Sequence, residues 1–169
     1  MSEPHIEQRP TQPYLAIAGR ITEGVPAFVD KAFPELYRWL AEHGVEPAGP
    51  PFIRFRELDP DGEPLEIEAA APVDGDADRD KRVRAGSLPA GRYLTLVHRG
   101  PYRSESTADL ATAREQLTSF AAEHGIVYNR QTRTGTTLPC ALERYLIGPV
   151  EEPDFTKWKT EFAYLVLDE

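Results

Sequence analysis

Three carboxylates set into apolar strand-like stretches, and a group of aromatic rings near them, are the residues of this chain best suited to chemistry. Glu161 lies in Trp158-Lys-Thr-Glu-Phe-Ala-Tyr-Leu-Val166, which is otherwise largely apolar. A carboxylate there either faces water or is buried at a cost that requires a compensating partner. Period-two alternation groups Glu161 with Lys159, Ala163 and Leu165, and sends Phe162, Tyr164 and Val166 to the other side. Two readings stand for it: a surface pair with Lys159, or a pocket carboxylate that receives a cation. Glu68, in Leu65-Glu-Ile-Glu-Ala69, is either a second site acid or part of a solvated hairpin face with Glu66. Glu143, in Leu142-Glu-Arg-Tyr145, either pairs with Arg144 or a neighbouring strand, or joins a site. Two such acids brought close together would raise the pKa of one of them.

The rings are Trp158, Tyr145, Tyr102, Phe52 and Phe55. Each taken singly fits ordinary core. Several of them lining a cleft with one carboxylate would hold an organic cation, the ring faces by cation–π attraction and the acid by charge. Other chemistries lack their residues. Cys140 is the one cysteine and sits in the apolar Leu138-Pro-Cys-Ala-Leu142, where it reads as a buried small hydrophobe. His43 and His124 each precede a glycine at a helix end, a place that favours an imidazole on the helix dipole. No Gly-x-Ser-x-Gly, phosphate loop or dinucleotide fingerprint occurs. The expectation is therefore no metal and no cofactor.

The elements that position these residues recur. Ala41-Glu-His-Gly-Val45 returns as Ala122-Glu-His-Gly-Ile126, and Tyr14-Leu-Ala-Ile-Ala18 has its counterpart in Tyr93-Leu-Thr-Leu-Val97. In the first unit Tyr14 to Arg20 reads as a strand. Val25 to His43 reads as a helix by the spacing of Val29, Phe33, Leu36, Tyr37 and Leu40, with a kink or break at Pro34. Phe52 to Glu57 and Pro64 to Val73 flank the turn Asp59-Pro-Asp-Gly62 as a hairpin. The second unit has a strand from Gly91 to Arg99 and a helix capped by Ser106 along Leu110, Ala113, Leu117 and Phe120. A polar turn at Gly135 and closing strands from Ala141 to Ile147 and Lys157 to Leu167 complete it. The predicted fold is α+β: two pseudo-symmetric β-α-β-β repeats with an antiparallel sheet, helices on one side and a ligand groove between the repeats. Residues 1–13 read as a flexible N-terminus, 14–73 as the first repeat, 74–87 as a charged linker and 88–169 as the second repeat.

Across 169 residues the composition is 40% hydrophobic and 28% charged, with a net charge of −9. That balance argues against a nucleic-acid partner, whose phosphates demand clustered Lys and Arg, and it favours cationic ligands. No apolar run approaches the ~18 residues of a membrane span and no signal core opens the chain, so the expected location is cytoplasmic, away from membranes.

Leu88-Pro-Ala-Gly-Arg-Tyr93, His98-Arg-Gly-Pro-Tyr102, Glu123-His-Gly125, Glu143-Arg-Tyr145 and Trp158-Lys-Thr-Glu161, in that order, resemble the signature of the GyrI-like domain. The resemblance spans nearly all of Tyr14 to Asp168. It implies binding of bulky cationic or aromatic small molecules in the groove between the two units, as a drug or effector sensor or a sequestering protein. It also implies that the Thr-Glu pair of the last strand corresponds to the family's ligand-contacting acid, which singles out Glu161. Many members are fused to a helix-turn-helix module; the length here leads to the expectation of a standalone form. Some members hydrolyse cyclopropane-containing drugs. The alternative function is therefore hydrolysis, with Glu161 and then Glu143 as the pocket acid or base.

Overall fold

A computed structural model describes residues 3–22, 24–75, 81–102 and 109–167. The elements in chain order are β1 (His5–Arg9), β2 (Gln12–Arg20), α1 (Val25–Glu42), β3 (Phe52–Leu58), β4 (Pro64–Pro72), β5 (Arg84–Leu88), β6 (Gly91–Arg99), α2 (Leu110–Glu123), β7 (Arg130–Thr132), β8 (Gly135–Ile147) and β9 (Lys159–Leu165). The fold is α+β, a curled sheet with every strand pair antiparallel, in the order β1-β6-β9-β8-β3-β4-β2-β5, with β7 hairpinned onto β8.

Alternation along each strand divides its side chains between two faces. On one face Ala32, Leu36, Trp39 and Leu40 of α1 pack on Leu15, Ile17, Ala69 and Ala71, while Ala113, Leu117 and Ala121 of α2 pack on Leu94, Leu96, Phe162 and Tyr164. Both helices lie on this same face, because Glu143 and Tyr145, two apart on β8, touch α2 and α1 respectively. The helix-free face buries Tyr14, Phe52, Ala70, Tyr93, Leu142 and Ala163.

The two helices end alike. His43 Nδ1 donates to the Trp39 carbonyl at 2.8 Å and His124 Nδ1 to the Phe120 carbonyl at 2.9 Å. Each imidazole stacks on the ring four residues earlier. Gly44 and Gly125 then take φ of 66° and 64°. That left-handed turn lets Val45 and Ile126 close the helix ends with N–H bonds to Leu40 and Ala121. The imidazoles thus cap carbonyls directly, a more specific role than the dipole interaction expected.

The register repeats too. Arg84 faces Ala16 as His5 faces Thr95; Ala18 faces Glu68 as Val97 faces Glu161; Arg54 faces Glu68 as Arg144 faces Glu161. At the centre Phe52 faces Arg144 and Arg54 faces Leu142, so Ile53 and Glu143 meet at the seam.

Several expectations need correction. Within the expected tail 1–13, His5–Arg9 forms β1 and pairs with β6, and β2 already begins at Gln12. Within the expected linker 74–87, Arg84–Leu88 forms β5 on the edge of β2; residues 76–80 lie outside the described residues. Both are edge strands, which need only one row of hydrogen bonds and no apolar alternation, so their polar sequences hid them. α1 runs unbroken through Pro34. The cap expected at Ser106 lies outside the described residues; the N-cap of α2 is Asp109, whose carboxylate accepts the Thr112 N–H at 3.0 Å. No helix among the described residues is long and apolar enough to cross a membrane.

Candidate functional site

The sheet separates the predicted site residues into two groups. Glu143, Tyr145, Tyr102 and Trp158 gather on the helix side. Glu161, Glu68 and Phe52 lie on the helix-free side, and Phe55 packs against the core under α2. The expectation that Glu161 stands beside the rings of Trp158, Tyr145 or Tyr102 is therefore not met: the strands put them on opposite faces.

Glu161 is buried, yet Lys159 is not its partner. Arg144 Nη1 on β8 donates to Glu161 Oε1 at 2.7 Å, and Arg9 Nη2 on β1 reaches the same oxygen at 2.9 Å. Glu68 is held in a comparable way. It accepts from the Tyr14 hydroxyl at 2.9 Å and Arg56 Nε at 2.8 Å, while Arg54 Nη1 donates to the Tyr14 oxygen. Clefts of about 450 Å³ beside Glu161 and about 460 Å³ beside Glu68 open on this face. In each, the buried carboxylate already faces guanidinium groups. These acids tie strands together, and a cation arriving there would meet positive charge.

On the helix side the arrangement differs. Glu143, only 5% exposed, stands at the central seam between α1 and α2. Its pairing with Arg144 is excluded by alternation. Its partners are Arg114 Nη2 on α2 and the Tyr145 hydroxyl, each donating at 3.1 Å. Burial pushes the Glu143 carboxyl above its ordinary value, against the opposing pull of Arg114 and Tyr145. The Arg114 guanidinium sits 5.5 Å from the centre of the Phe162 ring. Around the carboxylate the rings form a chain: Phe33 of α1 to Tyr145 at 6.2 Å, Tyr145 to Tyr102 at 5.9 Å, and Tyr102 to Trp158 at 4.7 Å. Trp158 is fixed by its Nε1–H, which donates to the Glu152 carbonyl at 2.7 Å. Burial, with Glu143 and Glu151 nearby, pushes Tyr102 up to about 12, so its hydroxyl stays protonated and can donate.

Sequence reasoning missed Arg114, Phe33, His98 and Thr160. Arg114 follows Ala113 and precedes Leu117 by three, so it flanks the apolar line of its helix; that position was the available signal. His98 and Thr160 are cross-strand neighbours beside Tyr145, fully buried on the helix side. His98 Nε2 donates to the Pro101 carbonyl at 3.0 Å, whereas its Nδ1 and the Thr160 hydroxyl have no hydrogen-bond partner among the described residues. An orphaned hydroxyl costs folding free energy. Thr160→Val should therefore raise stability by about 1 kcal/mol, a Tm increase of about 3 °C measurable by thermal melts; a lower Tm would mean that the hydroxyl is partnered. Among the described residues no group of three His, Cys, Asp or Glu is placed to hold a metal ion.

Two helices on one face of a curled antiparallel sheet, with Glu143, Tyr145, Tyr102 and Trp158 gathered on that same side, define an α+β domain. The family model for the GyrI-like small molecule binding domain matches residues 2–163, and the chain belongs to that family. No curated protein sequence matches it. Among solved structures, the C-terminal domain of EcmrR superposes with a TM-score of 0.80 at 16% identity, covering 99% of this chain and 98% of that one. EcmrR in a DNA complex gives the same TM-score at 15% identity, with 99% of this chain matching 58% of that one. SAV2435 bound to tetraphenylphosphonium aligns at a TM-score of 0.57 and 15% identity over 98% of this chain and 94% of that one. A hydrolase from Listeria innocua aligns at 0.58 and 15% identity over 98% and 92%. At these identities the likeness concerns the fold.

Proposed function

We propose that this protein binds bulky amphipathic or aromatic cations in the helix-side groove between α1 and α2, as a cytoplasmic sensor or sequestering agent. Glu143 supplies the charge, and Tyr145, Tyr102 and Trp158 supply the walls. The observation that carries this reading is the buried Glu143 carboxylate at the seam, bonded to Tyr145 and flanked by linked rings. A carboxylate removed from water attracts a cation strongly, and ring faces add about 0.5–2 kcal/mol. Family membership supports a small-molecule ligand. The net charge of −9 supports a cation and argues against nucleic acid. The repeated register and matching helix ends support reading residues 14–73 and 88–169 as copies of one β-α-β-β unit, with the groove on their pseudo-twofold seam.

Fluorescence titration with rhodamine 6G, a cationic dye, beside an uncharged spirolactam analogue tests the reading. Saturable binding of the cation is expected, weaker binding of the analogue, and a further loss of about threefold to tenfold on Tyr102→Ala. Equal affinity for the two dyes would refute the charge assignment, and absence of saturable binding would refute the site.

A further inference from the structure

Glu143 already holds a cation of the protein's own. Arg114 Nη2 lies 3.1 Å from Glu143 Oε2, and the same guanidinium stands 5.5 Å from the centre of the Phe162 ring. A carboxylate and an aromatic face are the elements by which the groove would recognise an organic cation. We propose that Arg114 is the selectivity residue of the groove: its guanidinium occupies the place of a ligand's charge, and a ligand binds by displacing it from Glu143. The inference rests on the groove reading above and adds how that groove chooses its ligand.

Unequal burial makes the displacement workable. The Arg114 side chain is 45% exposed, whereas that of Glu143 is 6% exposed. Arg114 can swing into water and be solvated at little cost. Glu143 cannot follow, and a buried carboxylate left unpaired is expensive. Arg114 is thus released cheaply only when another cation takes its place. A neutral molecule of the same shape must either leave the arginine in the groove or strand the acid. Selection by charge follows from this asymmetry, independently of the shape of the walls.

A purely structural role for the pair is opposed by the other half of the molecule. The offset that carries Ala41-Glu-His-Gly to Ala122-Glu-His-Gly places Phe33 at the position of Arg114. The register that carries Arg54 to Arg144 places Ile53 at the position of Glu143, and those two residues face each other across the seam. The two equivalent positions of the first half therefore carry apolar residues. The architecture does not need charges there, and the second half carries them where the groove lies.

Arg114→Gln keeps the stem and removes the charge; Arg114→Lys keeps the charge. With rhodamine 6G as the probe, Arg114→Gln should bind about fivefold more tightly than wild type, because a half-exposed pair is worth about 1 kcal/mol. Arg114→Lys should stay within about twofold of wild type, and affinity for the uncharged spirolactam should not rise in either variant. Thermal melts of each variant establish that it is folded. Unchanged or weaker dye binding by folded Arg114→Gln, with Glu143→Gln still weakening it, overturns the displacement and leaves the groove reading intact. Absence of saturable dye binding in wild type and every variant overturns both. Equal tightening for the uncharged dye would show that Arg114 only fills space, and would overturn the selection by charge.

Discussion

Glu143→Gln is expected to lower rhodamine 6G affinity between about tenfold and a hundredfold, since hydrogen bonds and pairs to a charged group contribute about 1.5–3 kcal/mol. The amide keeps the shape and the contact with Tyr145, so affinity for the uncharged analogue should be nearly constant. The substitution should not destabilise the protein at neutral pH. Burial raises the carboxyl pKa above 4.5, so the folded state favours the neutral form. The stability associated with this group is fully present below its unfolded pKa and is lost as pH rises through the higher folded value. Ionised Glu143 therefore costs stability at neutral pH, and glutamine removes that cost. Ligand binding runs the other way. A cation prefers the ionised acid, so affinity should fall as pH drops through the raised pKa, with proton uptake as the cation leaves. Burial raises the neighbouring Tyr145, Tyr102 and Tyr164 hydroxyls further from that acidic range, so they keep their protons throughout it. The pH slope should be absent in Glu143→Gln. A slope retained in that variant would assign the effect to another group.

Glu161→Gln should behave in the opposite manner. It removes the one carboxylate that Arg9 of β1 and Arg144 of β8 share, on the face away from the helices. Breaking a buried ion pair from one side costs about 3–5 kcal/mol. Arg9 keeps its two bonds to Glu7, and both arginines retain some solvent contact, with side chains 19% and 27% exposed, which places the loss near the lower end. A decrease of about 3 kcal/mol corresponds to a Tm about 9 °C lower for a chain of this length. Binding of the cationic dye should change by less than about twofold once both proteins are folded. Chemical denaturation and dye titration on the same samples read both quantities. Loss of dye affinity at unchanged stability would return the ligand-contacting role to Glu161.

The two glutamates have similar sequence surroundings and different partners: Arg114 and Tyr145 for Glu143, Arg9 and Arg144 for Glu161. Alternation in Trp158 to Val166 already separated Glu161 from Phe162 and Tyr164, and the folded strand keeps that separation. For Leu142 to Tyr145 the sequence leaves a pairing of Glu143 with Arg144 open, and the strand closes it: Glu143 and Tyr145 share a side opposite Arg144. A period of two says which residues travel together; it carries no information about which side the helices cover. Family likeness favoured Glu161, and the strand order β1-β6-β9-β8 gave that residue two arginines instead, Arg144 from the adjacent β8 and Arg9 reaching across β6 from β1.

By itself the sequence determined the order of β2, α1, β3 and β4 in one half and of β6, α2, β8 and β9 in the other, because apolar spacing of two and of three to four is a local property of the chain; the polar β7 and the start of β8 at Gly135 carry only a turn signal. It determined the helix ends through Glu-His-Gly, since the histidine reaches its own fourth preceding carbonyl and the glycine supplies the positive φ without help from elsewhere. It also made several aromatic residues available near the second helix and the last strand. Tertiary structure alone decided the rest. β1 and β5 exist because β6 and β2 offer open edges, and their polar residues bury too little to announce a strand. Arg114 meets Glu143 across 29 residues of chain only when α2 packs on β6 and lays its flank over β8 and β9. The chemistry proposed for the groove depends on that pairing, and charge, being long-ranged and set by neighbours remote in sequence, is fixed only after packing has decided which side chains lose their water.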